Sequence, residues 1–346
     1  MPPPPFLRAF VAAAGMLALL AGCAVPASVS APAPRPVKVL LVTMFGPEAE
    51  AWTSRLAFDA GTRVPGLAAE FPAVRCTADD VCLLTTGMGH ANAAASMTAL
   101  VLSPRFDLSR AYVVVTGIAG IDPDVGTLGS AAWARWLVDY GLAHEVDARE
   151  LPPGWDDGYW GIMTPQPGVK PKFDYHTEAF RLDERLLQKA LALSRGAALA
   201  DNDTARAYRR LYPQPAARSA PAVLQCDTAA GDTWWHGERL GAHAARWTQL
   251  LTDGQGRYCT TQQEDNATYE ALVRGAAAGR VDLKRVAVLR TGANFDRPHP
   301  GQDAKQSLGA DSGGFPLSTA NLYNAAWPLV SDIVARWPAW REGVPE

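Results

Sequence analysis

The stretch VKVLLVTMFGPEAE, residues 37–50, decides the fold class of this chain. Its first seven residues form an apolar, β-branched run without alternation, which is typical of a strand buried on both faces of a parallel sheet. The Gly46-Pro47 pair then predicts a tight turn that opens a helix. A buried strand followed by a helix indicates an α/β fold, and it places Glu48 near the carboxyl end of the strand, where such sheets bind ligands.

The alternation of strands and helices continues along the chain. Strand-like runs return at residues 81–86, 111–116, 222–225 and 285–289, and helical patterns cover 91–102, 178–194, 236–251, 264–278 and about 315–337. This order predicts a single three-layer α/β domain over residues 37–346, with a central mixed, largely parallel sheet flanked by helices. Two long irregular stretches, 143–175 and 208–221, interrupt the pattern, and loops of this length are usually lids or linkers.

The length and net charge of the chain restrict the kinds of ligand or partner that it can bind. With 346 residues, 48% of them hydrophobic, the chain is long enough to bury a full core. The formal net charge of −3 gives no basic field to hold a phosphodiester backbone. We therefore expect a small-molecule ligand and no nucleic-acid partner. No stretch after the N-terminal segment is apolar for long enough to predict a membrane helix.

Residues 1–22 have the features of a secretion signal, with one charged side chain and a short apolar segment that ends in small residues. The following Leu-Ala-Gly-Cys sequence resembles the bacterial lipobox, in which the cysteine, here Cys23, is lipidated and becomes the mature N-terminus. The alternative is an ordinary signal peptide in which Cys23 is incidental. Residues 23–36 then form the lipidated cysteine and a flexible tether. Ala24 is not the aspartate that retains lipoproteins in an inner membrane, so we expect a periplasmic or cell-envelope location, with the outer membrane favoured.

The predicted export affects the interpretation of the other four cysteines, because it would place them in an oxidising compartment. In an oxidising compartment, Cys76 and Cys82 are expected to pair across a polar turn. Cys226 and Cys259, each at the end of a β-type run, would then pair with each other. Metal binding is the competing interpretation, but neither a C-x-x-C spacing nor a histidine cluster supports it. We expect no metal and no cofactor.

The turns after the predicted strands hold the residues suited to a ligand. Glycines in the TTGMGHAN segment, residues 85–92, let the backbone approach a ligand at a helix start, although His90 there is better explained by capping or packing. A carboxylate that accepts two hydroxyl hydrogen bonds suits a polyol, and an indole face suits a flat base. Trp234 and Trp235 either stack on such a base or pack in the core. Glu48 alone is explained by the helix dipole.

Six motifs in order resemble the nucleoside phosphorylase/nucleosidase superfamily. They are T-G-M-G-x-x-N-A-A, V-T-G-I-A-G-x-x-P-x-x-G, F-R-L-D-E-x-L-L-x-x-A, A-G-D-x-W, Q-E-D-N-A and R-T-G-A-N-F-D. The stretch WLVDYGLAHEVDARE and the ending R-T-x-x-N-F-D-R-P resemble the purine nucleoside permease family more closely. The resemblance runs from about Val37 to Trp337 and implies a nucleoside phosphorylase-like fold and a purine nucleoside ligand.

The resemblance implies a role for each matching position. Glu48 matches the acid that holds and activates the attacking water in hydrolytic members, and Glu264 matches the glutamate that accepts hydrogen bonds from the ribose 2′- and 3′-hydroxyls. Trp234 matches the aromatic residue that stacks on the base. The remaining implied nucleoside-binding positions are Gly87, Gly89 and Gly120, whose glycine turns line the sugar and base pockets, and Gln263.

Two departures bear on catalysis. Nucleosidases of this kind place an aspartate at the purine N7, whereas the matching position here is Asn294, with Asp296 two residues further on. An asparagine donates a hydrogen bond but delivers no proton, so general-acid catalysis would need Asp296, and which of the two contacts the base stays open. The loops 44–50 and 85–92 contain none of the arginines that phosphorylases use. Water is therefore the favoured nucleophile, with phosphate a possible co-substrate.

Two functions follow from the resemblance. The favoured one is a secreted, membrane-anchored protein that binds purine nucleosides and cleaves their N-glycosidic bond for purine salvage, by hydrolysis rather than phosphorolysis. The alternative is a non-catalytic permease component that captures nucleosides for a membrane transporter. A sensor or a decayed pocket is a third interpretation, against which the presence of both Glu48 and Glu264 argues. Homo-oligomers are common among relatives, and the preferred base is not specified by the sequence.

Overall fold

The computed structural model describes residues 33–346, in which strands and helices alternate. The predicted signal peptide, Cys23 and most of the predicted tether lie outside the described residues. The strands are β1 Arg35–Pro36, β2 Val39–Thr43, β3 Thr62–Arg63, β4 Ala73–Cys76, β5 Val81–Thr85, β6 Phe106–Asp107, β7 Tyr112–Ile121, β8 Ala131–Trp133, β9 Trp136–Asp139, β10 Ala143–Glu145, β11 Tyr159–Gly161, β12 Ala179–Arg181, β13 Val223–Gln225, β14 Asp227–Ala230, β15 Tyr258–Gln262 and β16 Val286–Phe295. The helices are α1 Gly46–Thr53, α2 His90–Val101, α3 Glu184–Ser194, α4 Asp203–Arg209, α5 Pro215–Arg218, α6 Glu238–Leu251, α7 Asp265–Ala277, α8 Ala304–Leu308, α9 Gly314–Ala335 and α10 Trp337–Trp340, with 3-10 turns at Ala148–Glu150 and Leu283–Arg285.

One mixed sheet organises the described part of the chain. Its strands follow the order β12-β9-β14-β15-β7-β2-β5-β4-β3, with β16 paired to β7 and β8, and β13 paired to β8. The pairs β2–β5, β2–β7 and β16–β7 are parallel, whereas β15 runs antiparallel to β7. The predicted mixed, largely parallel sheet is therefore confirmed.

Helices cover both faces of this sheet. Strand β2 is buried along its whole length, as its unalternating apolar sequence predicts. Leu40 and Val42 pack in one core with helices α2 and α7, and Val39 and Leu41 pack in the opposite core with α1, α3 and α9. The result is three layers, with the sheet between two layers of helices.

Strand β7 changes its neighbour midway, and this opens the sheet. Its first half, up to Val115, pairs with β2, and its end, at Gly120 and Ile121, pairs with β15. Strand β16 pairs with β7 on the other side over nearly the full length of both. Ligands of open α/β sheets bind where strands diverge in this way. The segment 116–119 of β7 is thus the place where side chains from several strands converge.

Three local predictions are wrong. The glycine-containing segments after residues 116 and 289 continue strands β7 and β16 instead of forming turns. The reason is that β7 and β16 pair with each other there, and ladder hydrogen bonds outweigh the low strand propensity of glycine. The helix predicted over 178–194 begins only at Glu184, because residues 179–181 pair with β9 and the Asp183 side chain caps the helix.

The N-terminal end of the compact unit and the two long irregular stretches contain some regular structure. Arg35 and Pro36, the last residues of the predicted tether, pair with β6, and the compact unit spans Pro34–Glu346. The stretch 143–175 holds the hairpin β10–β11 and little other regular structure, and 208–221 holds the short helix α5. Within residues 33–346, no helix combines the length and apolar character needed to cross a bilayer.

Both predicted disulfides are confirmed. Cys76 pairs with Cys82 across the antiparallel strands β4 and β5, and Cys226, between β13 and β14, pairs with Cys259 of β15. All four cysteines are buried.

The two disulfides are expected to differ in their contribution to stability, because a cross-link that closes a longer loop restricts the unfolded chain more. The sequence separations are 6 residues for Cys76–Cys82 and 33 residues for Cys226–Cys259. Replacing Cys226 and Cys259 with alanine should lower the free energy of unfolding by about 3 to 4 kcal/mol, and the Cys76/Cys82 double variant by about 2 kcal/mol. Urea unfolding of both variants measures the difference, and an equal loss would contradict the loop-length explanation.

Candidate functional site

Glu48 lies buried at the start of α1, where the Gly46-Pro47 turn places it. One carboxylate oxygen accepts the Met44 N–H at 2.7 Å and the other accepts the Ile118 N–H of β7 at 2.7 Å. Burial raises the pKa of Glu48 to about 7, although the Arg290 charge and the two backbone hydrogen bonds lower it. Near neutral pH the side chain therefore exists in both protonation states, which suits a general base.

Arg290 of β16 is the central cation of the site. Its guanidinium is fully buried and donates to both oxygens of Asp265, at 2.6 and 3.1 Å, and to Glu264 at 3.2 Å. Further bonds reach the Gln262 side chain and the Ile118 carbonyl. Burial alone would lower the pKa of Arg290, but the charges of Asp265 and Glu264 outweigh it and raise the pKa. Arg290 thus connects the start of α7 to segment 116–119 of β7, where the neighbouring strands diverge.

Gly117 makes this convergence possible. A Cβ atom at position 117 would lie 2.2 Å from Nη1 of Arg290 and 3.1 Å from Oε1 of Glu48. Only a residue without a side chain leaves room for both groups against the same backbone atom. The two segments that present Glu48 and Arg290 therefore meet over the glycine of the V-T-G-I-A-G motif.

Glu264 is the second carboxylate of the site. It is buried immediately before α7, and one oxygen accepts the Gly89 N–H at 3.1 Å while the other accepts from Arg290 and from the Gln263 N–H. A carboxylate offers about four lone-pair sites, so Glu264 retains acceptor capacity for hydroxyl groups. The two acids share one site because Arg290 donates to Glu264 and lies with Glu48 around Gly117, and the negative charge of Glu264 raises the pKa of Glu48.

The glycine loop before α2 approaches Glu264 closely. Gly87 and Gly89 adopt φ angles of +83° and +88°, a conformation that favours glycine. The His90 N–H donates to Oδ1 of Asp232 at 2.7 Å, so a carboxylate from the loop after β14 occupies the start of α2. The Gln263 side chain donates to the carbonyl of the same Asp232 at 2.6 Å. The three loops therefore form one wall.

The two adjacent tryptophans have different surroundings. Trp235 is buried and stacks on Tyr140 with ring centroids 5.0 Å apart, so core packing explains it. Trp234 is 69% exposed on the same loop as Asp232. Its indole is free to stack on a ligand, which keeps the predicted role open.

Asn294 and Gly120 face each other across strands β16 and β7. They are partners in the ladder at a register irregularity of β16, and a Cβ on Gly120 would lie 3.6 Å from Nδ2 of Asn294. Asn294 is partly exposed, and its amide donates to the neighbouring Phe295 carbonyl at 2.9 Å. An exposed amide at this position can offer a hydrogen bond to a base.

Asp296 belongs to a separate buried network. It accepts from the Tyr258 hydroxyl at 2.7 Å and from Arg297 at 2.8 Å. Arg297 also contacts Asp122 at 3.1 Å. Burial and the Asp296 charge raise the pKa of Asp122 to about 7, against the lowering effect of Arg297. The Asp296 carboxylate is therefore already engaged inside the protein, whereas Asn294 is partly exposed.

Sequence reasoning missed the roles of Arg290, Asp265 and Gly117. A signal for the first was present, because an arginine directly after the apolar run Val286–Leu289 must find buried carboxylate partners. The acid pair at residues 264–265 supplies them. Arg135 has a structural role, since it forms a bidentate ion pair with Glu184 of α3 at 2.8 Å for both bonds.

Comparison with solved structures bears on the fold. The chain is similar to futalosine hydrolase of Helicobacter pylori, with a TM-score of 0.52 and 12% identity over 86% of this chain and 98% of that one. It is also similar to 5′-methylthioadenosine/S-adenosylhomocysteine nucleosidase of Campylobacter jejuni, with a TM-score of 0.51 and 16% identity over 86% and 99%. At such low identity these matches show the fold, and the predicted nucleoside phosphorylase-like architecture is confirmed.

Comparison with protein sequences gives the family. A probable purine nucleoside permease of Schizosaccharomyces pombe is 40% identical over 315 residues, 88% of this chain and 90% of the relative. Purine nucleoside permease of Candida albicans is 36% identical over 306 residues, 87% of this chain and 75% of the relative. The family profile of purine nucleoside permease (NUP) matches residues 36–345. The chain therefore belongs to the purine nucleoside permease family, as the motif order predicts.

Proposed function

We propose that this protein binds purine nucleosides in the cleft between Glu48, Glu264 and Trp234, and that it cleaves their N-glycosidic bond with water. Nucleoside binding is supported by the family and by the nucleosidase-like fold. One observation supports the proposed cleavage. The two buried acids, Glu48 and Glu264, lie close to Arg290 at Gly117.

The two acids divide the chemistry. Glu264, with unused acceptor sites, takes the ribose hydroxyls and stabilises the positive charge that develops on the sugar ring in an oxocarbenium-like transition state. Glu48, with a pKa of about 7, removes a proton from the attacking water. The Asn294 amide donates a hydrogen bond to the departing base, and Trp234 stacks on its face. Asn294 cannot deliver a proton, so the base leaves as an anion and takes its proton from solvent water, and activation rests mainly on the sugar side.

Water is favoured over phosphate because the donors that an anion would need are already used. The N–H groups at the start of α2 bind carboxylates, with Gly89 donating to Glu264 and His90 donating to Asp232. Arg290 is likewise saturated by Asp265, Glu264 and Gln262. A phosphate dianion placed there would meet these carboxylates and be repelled.

Release of free base from inosine, adenosine and guanosine by the purified full chain, with and without phosphate, tests the proposal. We expect release without phosphate and its loss in Glu264→Gln. The rate should increase with pH through an apparent pKa of about 7, because only ionised Glu48 accepts a proton. Release that strictly requires phosphate would refute hydrolysis, and a rate that falls as the pH rises through 7 would refute Glu48 as the base.

A second candidate is capture of nucleosides without cleavage, for delivery to a membrane transporter. It is favoured by the amide at position 294 and by the engagement of Asp296 with Tyr258 and Arg297, which together leave the base side without a free acid. Nucleoside binding that is lost in Glu264→Gln, with no base released from any of the three substrates, would establish this alternative.

The envelope location is part of the proposal. The two disulfides support an oxidising compartment for the folded protein. Lipidation of Cys23 would then hold the cleft at the membrane surface, where nutrients arrive. Incorporation of labelled fatty acid that is lost in Cys23→Ser tests the anchor, and a secreted, unlabelled wild-type chain would contradict it.

A further inference from the structure

A crevice of about 360 Å³ lies between the irregular segment that follows the 3-10 turn Ala148–Glu150 and helix α6. Its walls include Asp157, Tyr159, Pro167, His243, Arg246 and Leu250. None of these residues belongs to the proposed nucleoside site. The volume is within the range of small-molecule binding sites.

The acidic group of the crevice, Asp157, is bound within the protein. Asp157 is fully engaged, since one oxygen accepts the Tyr159 N–H at 3.0 Å and faces Nδ1 of His243 at 3.5 Å while the other binds Arg246. Burial alone would raise the pKa of Asp157, but the hydrogen bonds from His243, Tyr159 and Arg246 outweigh it and hold the pKa at about 2. The acid is thus ionised and neutralised within the protein, and it leaves donors towards the crevice.

Two polar side chains of the crevice, His243 and Arg246, are incompletely hydrogen-bonded. The side chain of His243 is 5% exposed, and its Nε2 atom has no hydrogen-bond partner among the described residues. A buried polar atom without a partner costs free energy, so a ligand that reaches it is favoured. The Arg246 side chain is 52% exposed and, within residues 33–346, makes its hydrogen bond to Asp157 alone. Its remaining N–H groups are available to an acceptor.

The rest of the wall is aromatic and apolar. The His243 ring lies between Tyr159, with centroids 4.7 Å apart, and Trp247, with centroids 5.7 Å apart. Leu250 and Pro167 complete the surface. Such a wall suits a flat unsaturated ring, and the guanidinium suits negatively charged oxygen.

We propose that this crevice is a second binding site, independent of the proposed nucleoside site, for a small organic anion with a flat unsaturated body. The ring packs beside Tyr159 and Leu250, and the anionic oxygen binds Arg246. Urate, which is anionic at neutral pH, and hypoxanthine, a neutral bicycle of similar shape, form a matched pair of probes.

Calorimetric titration of the purified full chain with both probes tests the site. We expect urate to bind at least tenfold more tightly than hypoxanthine. Arg246→Ala should weaken urate at least tenfold, whereas Arg239→Ala, an exposed arginine on the same helix outside the crevice, should leave it unchanged. Because Arg246 is half-exposed, its variant should fold, and an unchanged circular dichroism spectrum verifies this.

Three results would overturn the proposal. They are urate binding that Arg246→Ala does not weaken, urate binding that disappears in Glu264→Gln, and no urate binding at millimolar concentration. The second result would assign urate to the nucleoside cleft. Failure of base release would affect only the proposed function, because these readouts do not depend on catalysis.

Discussion

Replacing Glu48 with glutamine is expected to reduce the release of free base by about 10²- to 10⁴-fold, the usual contribution of a general base. Glutamine keeps the size and one acceptor oxygen of the side chain but cannot take a proton from water. Nucleoside affinity should change much less, because Glu264 and Trp234 are left in place. Single-turnover kinetics combined with equilibrium binding separate the two effects.

Glu50 provides the matched control. It lies on the same helix two residues on, but it is exposed, whereas Glu48 is 1% exposed. Glu50→Gln should leave both rate and affinity unchanged. Burial raises the pKa of Glu48 from 4.5 to about 7, so the protonated side chain favours the folded state at low pH. This contribution to the free energy of unfolding is lost as the pH rises from 4.5 to about 7. Equal loss of rate and of affinity in Glu48→Gln would show that this residue binds substrate and does not act as the base.

Replacing Arg290 with methionine is expected to lower the free energy of unfolding by about 3 to 5 kcal/mol, since it leaves buried carboxylates without their cation. Asp265 and Glu264 both bind this guanidinium, and their side chains are 0% and 5% exposed. Urea unfolding measures the loss. Nucleoside binding should fall with it, because Glu264 is held in place by the same arginine.

Two comparisons make the test of Arg290 specific. Arg274→Met removes an ion pair with Glu270 in which the arginine side chain is 75% exposed, and such pairs contribute at most about 1 kcal/mol. Adding Asp265→Asn to Arg290→Met removes one unpaired charge and should restore part of the stability. A loss for Arg290→Met no larger than that for Arg274→Met would refute the central role assigned to this cation.

The fold was predictable because its strongest signals are local. The unalternating run at residues 39–43 forms a strand buried on both faces, and the Gly46-Pro47 pair begins a helix as predicted. Helices with long apolar patterns were located within about two residues of their ends, as for Gly314–Ala335. The ends of β7 and β16 were not predictable in this way, because the two strands support each other through a contact between distant segments.

The resemblance pointed to single positions of the candidate site but not to the network that connects them. The resemblance indicated Glu48 and Glu264, and the structure brings both acids near Arg290. It gave no indication that Gly89 and His90 would donate to carboxylates, because Glu264 and Asp232 lie 175 and 142 residues away along the chain. Long-range polar contacts of this kind have no periodicity in the sequence. The hydrogen bonds of Asp296 with Tyr258 and Arg297 could not be predicted from the sequence for the same reason.

The anchoring of the loop after β14 has a consequence for the kinetics of nucleoside binding. Asp232 is tied through its side chain to His90 and through its carbonyl to Gln263, and Trp234 stands exposed two residues further on. A nucleoside that stacks on Trp234, as proposed, would meet a backbone segment that is already fixed at Asp232, so little backbone entropy would be lost on binding. Association should then proceed in one fast step without loop closure, and differences between purine bases should appear in residence times and not in association rates.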